Sequence, residues 1–518
     1  MTLKKFLDSN IFYSIIIFLV CIFLYGGLSV NELGLYSDDW ERIYYFGFDD
    51  SGNLGGKFSS LIKQSPGIVY RITWLFVIPL TSQLGDLIGN SVLSMHLLSL
   101  FINYLNILAI FFLILKITKV RLNAFLFSIF VSTIPGRSAT FFWASTQIEM
   151  VSILFIFLAL NVHFNLKISK WLSSLLVFIF TLISAWSYEI AVFLPGIFLI
   201  FILFKKERKT IAHFLSSLAA VVLVLLFKFY IYPNLLNLEV VKIPQESDSL
   251  SGVFSKIIIV TKTLFSKINA ASLFSYWREY IDNPKIFIIV ACTVFFLVTL
   301  LIFNITITPI NQDFSLLLIG LGILFGSIVV IALTLGNGLS FNIYGKESRF
   351  TSLPAIGLGF IICYLFSSFM LTEKNTRFLA YALFAIFISL NLRGVYTERI
   401  AYIKSWEIQK DVLDKIDFSA IKGNENVMVF VSGTEKLLHT DYSVPVFADF
   451  WTLSRAFSLY SNNPNVLADF ASYPYRKLDR NGGYQSKYWD KLYYERGSVY
   501  QVDLQRLHPK IIPIQEGI

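Results

Sequence analysis

Long uninterrupted apolar runs constrain this chain more than any other feature. A helix needs roughly 20 apolar residues to cross the hydrocarbon core of a bilayer, whereas membrane strands show short alternating segments. Eleven such runs read as helices, near 10–30, 92–115, 122–134, 149–166, 171–186, 190–204, 212–232, 286–304, 315–335, 352–371 and 378–392. Those at 122–134 and 190–204 are short. Of the 518 residues, 55% are hydrophobic and only 15% charged, against about 25% charged in soluble domains. A soluble globule lacks the polar cover for so much apolar surface, and disordered chains are poor in it. The first run follows Lys4 and Lys5, exceeds a signal-peptide core in length and shows no small-residue cleavage site, so it reads as a retained helix. The fold class expected is an all-α polytopic membrane protein.

Charge in the short loops orients it. One set holds Lys4, Lys5, Lys116, Lys119, Arg121, Lys167, Lys170, Lys205, Lys206, Arg208, Lys209, Lys374 and Arg377, 13 in all, and the opposite set only Arg137, Lys346 and Arg349. Basic residues stay in the cytoplasm, which predicts a cytoplasmic N-terminus and, with an odd number of spans, an outside C-terminus. Much of the net charge of +9 is thereby topological. The three cysteines, Cys21, Cys292 and Cys363, lie in apolar runs and build neither a disulfide framework nor a metal site.

Two outside loops are large, 31–90 and 233–285, the first with an apolar piece at 72–80 expected along the membrane surface. The chain divides at about 392. In residues 393–518, 31 of 126 are charged, or 25%, against 12% in residues 1–392. The tail therefore reads as a small soluble α/β domain outside the membrane, with helices at 396–416 and 449–460 and a strand at 426–432. Its near-neutral balance suggests no nucleic-acid face.

Candidate chemistry lies on the outside face. Tyr36-Ser37-Asp38-Asp39-Trp40-Glu41-Arg42 follows the first run. One carboxylate of the pair suits a general base for a hydroxyl, its neighbour tunes it or holds the hydroxyl, and the Arg42 fork matches phosphate oxygens. Taken alone, the segment also reads as a capped turn. On the same face lie Pro135-Gly136-Arg137-Ser138 continuing to Glu149, Trp186-Ser187-Tyr188-Glu189 with Leu194-Pro195, and Lys346-Glu347-Ser348-Arg349-Phe350 with Leu353-Pro354. Ionisable residues at membrane boundaries are costly and mark sites or pairs. Four clusters on one face fit a phosphate-bearing lipid substrate. Lys57, Lys63 and Arg71 either join them or contact headgroups, and His96 and His163 suit packing roles.

These motifs resemble those of membrane glycosyltransferases with the C-type fold (GT-C), which include protein O-mannosyltransferases and lipid A aminoarabinose transferases. The Asp-Asp segment is similar to their acidic first-loop motif, and the Ser187-to-Glu189 and Arg349-to-Pro354 segments to two later ones. Tyr188 stands where the family carries lysine, so that lysine's role does not transfer. The resemblance implies Asp38 as catalytic base and Asp39 as its acceptor-positioning catalytic neighbour, Arg42, Arg137, Lys346 and Arg349 at a donor phosphate, and Glu149, Tyr188 and Glu189 at substrate. It implies a polyprenyl-phosphate-linked sugar donor and a glycan acceptor. No metal is assigned, although Asp38 and Asp39 leave a divalent cation open. Size and tail are similar to the type-specific glucosyltransferases of O-antigen, implying glucose transfer at the periplasmic face of a bacterial inner membrane. Rival readings are a transporter or flippase of a lipid-linked substrate, which would carry inverted repeats, and an O-antigen polymerase or ligase.

Overall fold

A computed structural model describes residues 9–47, 54–64, 71–165, 167–205, 208–235, 250–267, 314–334, 348–369, 374–423, 426–433 and 450–470, with shorter pieces thereafter and at 444 and 446–447. The helices are α1 (Asn10–Leu24), α2 (Asp39–Gly47), α3 (Leu54–Gln64), α4 (Ile72–Ile88), α5 (Ser91–Thr118), α6 (Arg121–Thr133), α7 (Ser138–Phe142), α8 (Gln147–His163), α9 (Lys170–Ser187) and α10 (Leu194–Lys205). There follow α11 (Arg208–Leu226), which runs on through a π-helical segment at Phe227–Ile231, then α12 (Leu250–Lys267), α13 (Ser315–Thr334), α14 (Ser348–Phe369) and α15 (Lys374–Lys415).

Among the described residues, eight helices are long and apolar enough to cross a membrane, each matching an expected run. Of the other three expected spans, two are the short helices α6 and α10, of 13 and 12 residues, and 286–304 lies outside the described residues. The chain is a mostly helical, multi-pass membrane protein. Other helices were not expected in full: α3 lies in the first large loop and α7 before α8, α4 extends the apolar piece at 72–80 to Ile88, and α12 occupies the second large loop.

Helical period explains which faces are buried. On α1, Tyr13, Ile17, Cys21 and Leu24 are buried, while Ile11, Ile15, Phe18 and Leu19 face outward, where lipid replaces water as solvent. The apolar effect does not distinguish lipid from protein, so packing and interhelical hydrogen bonds hold the helices together. Asn106 Nδ2 donates to the Met150 carbonyl at 2.9 Å, and Asn161 Nδ2 to that of Ala109 at 2.8 Å, joining α5 to α8. Glycine permits a close backbone approach between α13 and α14. A Cβ on Gly357 would lie 2.6 Å from the Leu324 nitrogen and 2.8 Å from the Gly320 oxygen. Those are backbone atoms and cannot swing aside. Gly357→Ala is expected to cost about 1–3 kcal/mol by overpacking, read as a lower Tm in detergent; an unchanged Tm would refute the close contact.

The tail forms two small sheets of its own, one of four strands and one of three. Strand β1 (Val427–Ser432) is followed by α16 (Phe450–Ser461), β2 (Val466–Phe470), β3 (Arg476–Leu478), β4 (Gly483–Gln485), β5 (Tyr493–Tyr494), β6 (Val499–Asp503) and β7 (Ile512–Pro513). The main sheet has the order β2-β1-β6-β7; β1 runs parallel to β2 and β6, and β7 antiparallel to β6. Residues 427–431 of β1 are all buried, as a central parallel strand requires. Both β1 and α16 fall where the sequence places them. The composition change at 393 does not interrupt secondary structure, because α15 passes through it unbroken for 42 residues.

Antiparallel packing sorts the loop residues by end. At one end His163 at the close of α8 meets His213 near the start of α11, with Nδ1 atoms 2.8 Å apart, and His213 Nε2 meets Ser173 Oγ at 3.1 Å. The other end gathers the C-terminus of α9 and the N-termini of α8 and α14, where the candidate residues lie.

Candidate active site

The acidic pair enters on a tight turn. Ser37 adopts φ +49°, a left-handed conformation uncommon outside glycine, and the Asp39 amide donates to the Tyr36 carbonyl at 3.1 Å. This turn separates the fates of the two carboxylates. Asp38 is partly exposed, with the Ser37 hydroxyl 3.4 Å from its Oδ1. Asp39 is fully buried. Its Oδ2 accepts from the Tyr36 amide at 3.1 Å, and its Oδ1 accepts from the Ser145 amide at 2.7 Å and the Ser145 hydroxyl at 2.6 Å. Burial pushes Asp39 up to about 6, against the opposing pull of Arg42 and these hydrogen bonds.

Arg42 departs from its expected role at the donor phosphate. Its Nη1 donates to the Ala144 carbonyl at 2.7 Å and its Nη2 to Gln147 Oε1 at 2.8 Å, so both arms of the fork are committed to protein. Burial lowers its pKa to about 10, with Asp39 opposing, which leaves it protonated at neutral pH. Nor do the oxygens of Asp39 face a cation. The Asp39 oxygens meet N–H and O–H donors, the wrong polarity for an ion, and no cluster of three ligating His, Cys, Asp or Glu exists among the described residues.

The tail buttresses the same turn. Trp40 Nε1 donates to Gln409 Oε1 at 2.9 Å, Gln409 Nε2 to the Leu35 carbonyl at 3.1 Å, and the Tyr36 hydroxyl to the Tyr402 carbonyl at 2.9 Å. Gly34 admits this contact, since a Cβ there would lie 2.0 Å from the Trp406 ring. His96 has the packing role expected of it, its Nε2 2.8 Å from the Gly34 carbonyl oxygen.

Around Glu149, at the end of the 137–149 segment, lies a cationic cluster. The Arg349 guanidinium stacks over Trp143 at 5.0 Å and over Phe350 at 4.5 Å. Arg137 donates through Nη1 to the Ser132 carbonyl at 2.7 Å and covers Phe141 at 5.6 Å; burial lowers it to about 10, with Glu149 acting against the fall. The Nε of each arginine is buried without a hydrogen-bond partner among the described residues. Such orphaned donors are uncommon and call for an explanation. Glu149 is buried and accepts from the Ser352 hydroxyl.

Tyr188 and Glu189 adjoin this cluster. Burial pushes Tyr188 up to about 12, with Glu149, Arg349, Arg71 and Glu189 all close enough to act on it. Burial also raises Glu189, but Lys228 and Arg71 outweigh it and hold the carboxyl below its ordinary range. Lys228 Nζ lies 3.0 Å from Glu189 Oε1, and Arg71 Nη2 lies 3.8 Å from Oε2 while covering the Tyr188 ring at 5.2 Å. Lys228 escaped the sequence reading. Its one signal is a lone cation inside an apolar run, which is costly without a partner. Ser145 and Ser352 carried no signal at all. Lys57, read as a phosphate or headgroup contact, instead pairs with Asp86 and donates to Ser82 Oγ at 2.7 Å. Lys346 and the Lys63 side chain lie outside the described residues.

No family model matches the chain, and no curated protein matches it. Among solved structures it is similar to ArnT from Cupriavidus metallidurans bound to undecaprenyl phosphate, with 10% identity, coverage of 89% of this chain and 86% of that one, and a TM-score of 0.48. It is similar also to the Archaeoglobus fulgidus oligosaccharyltransferase in complex with zinc and sulfate, with 11% identity, coverage of 95% of this chain and 67% of that one, and a TM-score of 0.46. Likeness at this level transfers no residue role.

Proposed function

We propose that the protein is a membrane glycosyltransferase that moves a sugar from a polyprenyl-phosphate donor to a glycan hydroxyl. One observation carries the reading: a single segment, 137–149, joins the turn bearing a partly exposed carboxylate to two arginines, Arg137 buried and Arg349 half-buried. In the reaction the acceptor hydroxyl gives its proton to Asp38 as its oxygen bonds the anomeric carbon. The bond from that carbon to the phosphate oxygen breaks, and its electron pair leaves with the polyprenyl phosphate. The leaving group is stable as an anion, so cationic stabilisation replaces a strong general acid. Arg349 and Arg137, with Lys346, serve that phosphate; Glu149, Tyr188 and Glu189 shape the pocket beside it.

Orientation is part of the proposal. Lys116, Lys119, Arg121, Lys167, Lys170, Lys205, Arg208 and Lys209 lie at the end of the helical body opposite Asp38, which supports a cytoplasmic address for them and a periplasmic one for the site and the tail. O-antigen as acceptor and glucose as sugar are the finer expectation, carried by the resemblance in sequence motifs, size and tail.

The test reconstitutes the full chain in vesicles and supplies undecaprenyl-phosphate-linked glucose and other hexoses, with O-antigen oligosaccharides as acceptors. Sugar appearing on the acceptor with release of undecaprenyl phosphate is the expected result. Movement of the donor across the bilayer with no transfer to acceptor would overturn the reading in favour of a transporter.

A further inference from the structure

Asp39 and Arg42 stand one helical turn apart on α2, and both grip the 144–147 segment. Asp39 has no exposed surface, so it meets neither donor nor acceptor. Its two oxygens collect three donors from two separate pieces of chain, Tyr36 on one side and Ser145 on the other. We propose that Asp39 is a positioning residue for the transfer: by fastening the 36–39 turn to Ser145 it holds Asp38 in place against the Arg349 side of the site. This rests on Asp38 being the base.

Three features support it. The left-handed Ser37 backbone persists only where surroundings over-determine it, and the Asp39 carboxylate supplies the fastening two residues later. The route from the base to the cationic cluster is short, because Trp143 precedes Ser145 by two residues and its ring lies under Arg349. Every link in it is buried: Asp39 at 0%, Ser145 at 6% and Trp143 at 1% exposure. Charge matters as well. With its proton held only up to about pH 6, Asp39 is a carboxylate at neutral pH and accepts from all three donors. An asparagine in its place sets an amide NH2 against either the Tyr36 amide or the Ser145 donors.

The experiment compares Ser145→Ala, Ser145→Thr, Asp39→Asn and Asp38→Asn in the full-length chain, measuring kcat and the donor KM with the polyprenyl-phosphate sugar that the parent uses. A misplaced base slows the chemical step without loosening the donor, and a displacement of about 1 Å costs on the order of 100-fold. Asp39→Asn is expected to lower kcat about 100-fold and Ser145→Ala about tenfold, each with the donor KM within about twofold of the parent. Ser145→Thr keeps the hydroxyl and restores kcat to within about threefold of the parent. Should Asp39→Asn fail to accumulate in membranes, the Ser145 pair decides.

Parental kcat in both Asp39→Asn and Ser145→Ala, with Asp38→Asn inactive, would overturn the positioning role and leave the base assignment standing. An active Asp38→Asn beside an inactive Asp39→Asn would overturn the base assignment itself. A raised donor KM at unchanged kcat would make Asp39 a binding residue. A failure of threonine to rescue would assign the loss to packing rather than to the hydrogen bond, and also overturn the proposal.

Discussion

Asp38→Asn is expected to abolish sugar transfer while leaving the protein folded and inserted. Removing a general base costs typically 10²–10⁴-fold, and here no neighbouring carboxylate takes over. Asp39 lies one residue away, but its oxygens are buried under Tyr36 and Ser145. Asparagine matches the shape of aspartate and accepts a hydrogen bond from a hydroxyl, yet it does not take the proton. Donor binding is therefore preserved and the loss falls on kcat. Stability should stay near the parent, because Asp38 is partly exposed and surface substitutions usually change stability by less than about 0.5 kcal/mol. The measurement is transfer of labelled sugar to acceptor, paired with a thermal melt in detergent. Parental activity in a well-inserted Asp38→Asn protein would sink the mechanism.

Arg349→Gln carries the second large effect. The guanidinium stacks on two rings, those of Trp143 and Phe350, and its Nε lacks a protein partner among the described residues. A stacked cation with an unsatisfied donor suits the anionic phosphate proposed above. Removing one preorganised group that stabilises developing charge costs about 10²–10³-fold in kcat, and the same loss is expected here. Glutamine is the informative replacement because it keeps a planar polar head over Trp143 while deleting the charge. Arg349→Lys should recover part of the rate, since it restores charge but neither the fork nor the stacking. Equal rates for the parent and Arg349→Gln would remove the arginine from the reaction. Equal, severe losses for glutamine and lysine would assign its role to shape rather than charge.

The helical body was legible because crossing a bilayer forces a run length that few other structures share. Residues 10–30 and 315–335 could be read as helices with no knowledge of their neighbours, and α1 and α13 fall there. The clusters at one end were legible for a related reason: charges beside apolar runs are expensive, so Arg137, Glu149, Glu189 and Arg349 stand out. Side-chain direction was not legible. Asp38 and Asp39 are indistinguishable in sequence, and only the Ser37 backbone and the approach of Ser145, 106 positions away, part them. Arg42 looked like a phosphate ligand because its fork suits any pair of planar acceptors, and a carbonyl and an amide supplied them instead. Lys228 was hidden by its surroundings, since its partner Glu189 lies 39 positions earlier on another element. The tail boundary misled in one respect. A chain leaving the bilayer changes its solvent, and hence its composition, without changing its backbone.

That last point bears on α15. At 1.5 Å per residue its 42 residues span about 63 Å, far more than the hydrocarbon thickness of about 30 Å. Tyr402 and Gln409 meet the 35–40 segment from its C-terminal half. The rod therefore works as a keyed shaft: its phase, and not only its length, sets where the tail meets the turn. One residue inserted between 392 and 402 would rotate everything beyond it by about 100° and advance it by about 1.5 Å. An exchange of the segment beyond 402 for a foreign one is thus expected to keep the contact with the turn only when it is spliced in register and in phase.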